Sequence, residues 1–141
     1  MITLEDLKDK TEQEIIEHLA SNYSGDKSGH DYGEIDEIDI EKAKNDLKDM
    51  AVLVAYESVG SWGCDSSSFF LLKHKETEKL FEVHGSHCSC YGFEGQLQLE
   101  ETNIKALKHR VKNGGNVFYC GGYDENETEN QKIVNSFIEA L

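Results

Sequence analysis

The chain has 141 residues, 38% of them hydrophobic, with 28 acids against 14 bases and a formal net charge of −14. That length suits one domain with one core, and no apolar run approaches the roughly 20 residues that a membrane-spanning helix needs. Such a surplus of carboxylates opposes direct nucleic-acid binding, in which lysine and arginine must displace the counterions of the phosphates.

Residues 3–21 have helical spacing, with Leu4, Leu7, Thr11, Ile15 and Leu19 at three- and four-residue steps. Thr11-Glu12-Gln13-Glu14 matches a capping box, so two short helices meeting near Lys10 are expected. Residues 22–33 read as a glycine-bearing loop. Ile40, Ala43, Leu47 and Met50 then predict a second helix with Asp39 as its N-cap.

From residue 51 the period changes. Ala51-Val52-Leu53-Val54-Ala55-Tyr56 reads as a central strand, and a glycine- and serine-rich link follows from Ser58 to Ser68. Phe69-Phe70-Leu71-Leu72 and Leu80-Phe81-Glu82-Val83 flank a polar turn, as in an antiparallel hairpin. Helical spacing returns over 102–112 and stops at Asn113-Gly114-Gly115. Asn116–Cys120 reads as a short strand. A final helix from about Asp124 carries Ile133, Val134, Phe137, Ile138 and Leu141 as one apolar stripe.

The expected fold is a single α+β domain over 1–141: a small, mainly antiparallel sheet packed with N-terminal, middle and C-terminal helices. It divides into an acidic helical flank (1–50), a sheet-containing core (51–123) and a C-terminal helix (124–141). The flanks hold the charge: 15 acids against 6 bases in 1–50 and 5 against 1 in 124–141, while 51–123 is balanced at 8 against 7. The densest stretch supplies Asp31, Glu34, Asp36, Glu37, Asp39 and Glu41 with no base among them. It lacks the ligand spacing of a calcium loop, and a basic protein surface is its natural partner.

Residues 84–96, from His84 through His87-Cys88-Ser89-Cys90-Tyr91-Gly92-Phe93-Glu94-Gly95-Gln96, are the least generic segment. His84, His87, Cys88 and Cys90 could furnish nitrogen and sulfur to zinc, with Cys64 or Cys120 completing a tetrahedron. Against this, the spacing is not that of a zinc knuckle, and free cysteines are commonly small buried residues. No cofactor is therefore expected, and zinc is the one candidate. A cysteine nucleophile with His84 or His87 as base lacks any specified partner, so no catalytic residue is assigned and an enzyme is the less favoured reading. The glycines read as a shaped turn; no GxGxxG and no following lysine make a phosphate cradle.

The run Phe69–Leu72, Lys79–Val83, His87-Cys88-Ser89-Cys90-Tyr91-Gly92-Phe93-Glu94-Gly95-Gln96, Glu100-Glu101-Thr102 and Ala106-Leu107 resembles a family of small bacteriophage proteins. The resemblance covers roughly residues 52–112 and implies a phage or prophage origin and a bacterial host cytoplasm. It brings no catalytic residues. It leaves His87, Cys88, Cys90, Tyr91, Gly92, Glu94, Gly95 and Gln96 as a motif of unassigned role.

The absence of a basic or apolar leader in Met1-Ile2-Thr3-Leu4-Glu5-Asp6 points to the same cytoplasmic location, where the four cysteines would stay reduced or bind metal. The function expected is an acidic accessory protein that binds and inhibits a host protein with a basic surface. Its target would be a defence or nucleic-acid-handling factor, met through carboxylates that imitate phosphates. The alternative is a small zinc-binding module centred on the His-Cys-Ser-Cys segment.

Overall fold

The computed structural model describes residues 1–25, 37–59, 66–87, 93, 95–114, 117 and 125–141. In chain order they form β1 (Ile2–Glu5), α1 (Glu12–Tyr23), α2 (Glu37–Leu47), β2 (Met50–Ser58), β3 (Ser66–His74), β4 (Leu80–His87), β5 (Glu100–Thr102), α3 (Ile104–Gly114) and α4 (Glu125–Glu139). The strands make one five-stranded sheet in the order β1-β2-β3-β4-β5. Every pairing is antiparallel except β1 with β2, so the α+β expectation holds.

The first surprise is at the N-terminus. Ile2–Glu5, expected as helix, pairs in parallel with Val54–Glu57. Leu4 and Leu7 have helical spacing but enter different cores on opposite faces of the sheet. Burial on both sides outweighs local helix preference over so few residues. The capping box does open a helix: Glu14 N donates to Thr11 Oγ1 and Thr11 N to Glu14 Oε1, each at 3.2 Å. The Thr11 backbone and hydroxyl bonds hold the exposed Glu14 carboxyl below its ordinary pKa.

Two helical layers cover the sheet. α1 and α2 lay Ile15, Leu19, Tyr23, Ala43 and Leu47 on Val52, Ala55, Phe70, Leu72 and Val83. On the other face Leu107, Val111, Val134 and Ile138 of α3 and α4 meet Leu4, Val54, Tyr56, Phe69 and Leu71. The central strands are buried on both faces and therefore read as nearly continuous apolar runs. A register shift between Val52 and Val54 interrupts the alternation and leaves Leu53 and Val54 both packed toward the second layer.

Several boundaries differ from the sequence reading. α2 begins at Glu37 rather than after an Asp39 cap, and Met50 opens β2 instead of closing the helix. The serines at 66–68 belong to β3, β4 runs on to His87, and Glu100–Thr102 form a strand before α3. In α4, Val134 and Ile138 are buried, while Ile133 is 42% exposed and lies off the stripe. Of the strand expected over 116–120, Val117 alone is described; the rest lies outside the described residues.

Candidate functional site

Strand alternation places Glu57, Ser68 and Gly85 side by side across β2, β3 and β4, on the face under α1. Glu57 is 5% exposed, a carboxylate in a core, and needs donors. α1 supplies them at a spacing of five residues. His18 Nε2 lies 3.0 Å from both Glu57 oxygens, and the Tyr23 hydroxyl donates to Oε1. Asn22 Nδ2 stands 3.0 Å from both His18 Nδ1 and His18 O, which leaves Nε2 as the ring's donor to Glu57. Burial, then the charge and hydrogen bond of Glu57, push the Tyr23 phenol far above the ordinary tyrosine range; the neighbouring Ser68 opposes them. Tyr23 therefore acts as a neutral donor.

Gly85 makes room for this arrangement. A Cβ there would stand 2.4 Å from Ser68 Oγ, 2.9 Å from Phe93 Cδ1 and 3.0 Å from Tyr23 Cε1. The Tyr23 ring instead stacks on Phe93, with centroids 4.7 Å apart and planes 9° from parallel. Tyr23 O accepts from Gln96 N and Leu97 N, each at 3.1 Å. The Gln96 side chain imitates a strand: Ser86 N donates to Oε1 at 2.8 Å, and Nε2 donates to Ser86 O at 2.7 Å. Gly95, at φ 74°, takes the left-handed conformation that the turn reading required. The second half of the motif thus ties its segment to β4 and to the end of α1.

The opposite face holds a second buried carboxylate. Glu82, also 5% exposed, meets Arg110 Nη2 at 2.5 Å and His84 Nε2 at 3.0 Å. Burial acts to raise its pKa. Hydrogen bonds from His84 and Arg110, the Arg110 charge and Thr102 outweigh that and bring it to about 2. Arg110 Nη1 also donates to Val117 O at 3.4 Å, so one guanidinium joins β4, α3 and the chain beyond it.

The expected site residues fall out unevenly. Asp31, Glu34, Asp36, Cys64, Cys88, Cys90, Tyr91, Gly92, Glu94 and Cys120 lie outside the described residues. Glu37 and Asp39 are in α2, and Glu41 is exposed on it. His87 ends β4 opposite Ser66, and His84 is engaged by Glu82 through Nε2. Among the described residues, no three His, Cys, Asp or Glu side chains gather as a metal site, and no helix is long and apolar enough to cross a membrane. His18, Tyr23, Glu57, Glu82 and Arg110 were missed. A signal existed for two of them: Glu57 and Glu82 each sit in an apolar strand, where an acid must find donors inside the fold.

Compared with family models, with curated proteins and with solved structures, the chain matches none.

Proposed function

We propose that this chain is a phage-type acidic accessory protein that binds and inhibits a host protein carrying a basic surface. What carries the reading is the polarity of the fold. β1, β2 and β4 end, and β3 begins, at one end of the sheet, because Glu5 pairs with Glu57, Ser58 with Ser67, and Ser66 with His87. α1 finishes at the same end, where Tyr23 meets Glu57. Gly25, Val59 and His87, the last described residues before segments 26–36, 60–65 and 88–92, follow these ends of α1, β2 and β4, and those segments carry Asp31, Glu34 and Asp36 and the Cys88 and Cys90 of the motif. Connections gathered at one end of a rigid sheet are where binding residues concentrate. The two described histidine–carboxylate pairs are consumed in joining helices to the sheet or bracing β4, which favours binding over catalysis.

The test is retention of bacterial proteins on the immobilised chain at low and high salt. One stoichiometric basic protein, released as salt rises, is the expected result. Neutralising Asp31, Glu34, Asp36 and Glu37 together should abolish its retention. Retention that ignores both salt and those substitutions, or no retained protein, ends this reading.

One observation favours the zinc reading as a second. The Ser66–His87 pairing sets the chain two residues after Cys64 beside the chain one residue before Cys88. His84, oriented through Nε2 by Glu82, has the carboxylate–histidine arrangement of many metal ligands and would offer Nδ1. Stoichiometric zinc lost on Cys88→Ser is the expected outcome; folded, metal-free protein eliminates it.

A further inference from the structure

The residue that closes α1 also holds Phe93, Gln96 and Leu97, called the strap below. We propose that Tyr23 makes the end of α1 and this strap one conformational unit, a clasp through which movement of either segment passes to the other. Three contacts of different kinds converge on Tyr23: its carbonyl takes the Gln96 and Leu97 amides, its ring takes Phe93, and its hydroxyl takes Glu57. The strap lies outside the ladder of β4 with β5, which spans Leu80–Glu82 against Glu100–Thr102. Its described holds are the Gln96 amide on Ser86, Phe93 against Tyr23 in the slot over Gly85, the Tyr23 carbonyl, and Leu97 packed on the first core.

Position gives the clasp its consequence. Tyr23 is the last residue of α1, two residues before the chain leaves toward 26–36. Phe93 follows directly on 88–92, and Gln96 comes three residues later. The clasp therefore joins the end of α1, which leads in sequence into 26–36, to the strap that follows 88–92 in sequence. It stands independently of which partner binds, and of whether one does.

Hydrogen exchange on the full chain tests it. In wild type at low denaturant, the Gln96 and Leu97 amides and those of the last turn of α1 should open in one event, with one dependence on denaturant. Gly85→Ala pushes against both rings and should lower protection of both sets together, by about tenfold or more, with the Phe70–Leu72 ladder unchanged. Tyr23→Phe keeps the stack and the carbonyl but loses the phenol, and should lower both sets by a smaller common factor. Separate openings in wild type, or loss at the strap while the α1 turn keeps its protection in either variant, overturns the proposal. Should Gly85→Ala fail to fold, the wild-type isotherms and Tyr23→Phe still decide.

Discussion

Glu57 and Glu82 are equally buried carboxylates on opposite faces of one sheet, each touched by the Nε2 of a histidine. Their remaining partners differ. Glu82 has the permanent charge of Arg110; burial raises its pKa, and the hydrogen bonds of His84 and Arg110, the Arg110 charge and Thr102 together outweigh that and depress it. Glu57 has the neutral phenol of Tyr23, and that ring also fills the core between Phe70 and Phe93. One face satisfies its buried acid by charge; the other does so by a packed aromatic donor. The first should respond to pH and to loss of a cation, the second to loss of volume.

The largest expected effect breaks the packed face. Tyr23→Ala removes a fully buried ring and a donor to Glu57 together, and should cost about 3–5 kcal/mol in urea unfolding. A loss below about 1 kcal/mol would show that the neighbouring side chains collapse into the space.

Next comes acid. The Glu82 pKa is depressed in the fold, so its contribution is fully present above the ordinary carboxylate value and is lost as pH falls from about 4.5 through about 2. That loss should be on the order of 2–3 kcal/mol, and Glu82→Gln should flatten this part of the stability–pH curve. An unchanged acid limb in Glu82→Gln would contradict the assignment.

Arg110→Met keeps much of the stem but strands the carboxylate beside His84. Because the Arg110 side chain is 38% exposed, solvent softens the cost to about 2 kcal/mol, and the acid limb should move to higher pH. The smallest effect sharpens the comparison at the strap. Gln96→Ala gives up two hydrogen bonds to Ser86, for about 1 kcal/mol, with α3 and α4 unaffected in hydrogen exchange.

Local chemistry made much of this legible in the sequence. Thr11 and Glu14 start α1 because a capping box satisfies two otherwise unpaired amides within four residues. Phe69–Leu72 and Leu80–Val83 pair because a polar turn joins two short apolar runs. The glycine-bearing turn before Gln96 was equally readable, since a left-handed residue at Gly95 calls for no Cβ. Periodicity, caps and turns act over a few residues, so sequence alone determines them.

Tertiary structure decided the rest. Only the parallel pairing with β2 turns Ile2–Glu5 from helical spacing into a strand, since that choice depends on residues some fifty positions away. His18, Tyr23 and Glu57 look unrelated in the sequence; strand register and the rotation of α1 bring them within hydrogen-bonding distance. Arg110 reads as one more surface cation until α3 lies across β4 and sets it against Glu82. A buried charge announces that it needs partners, but which side chains answer is fixed only when the layers pack.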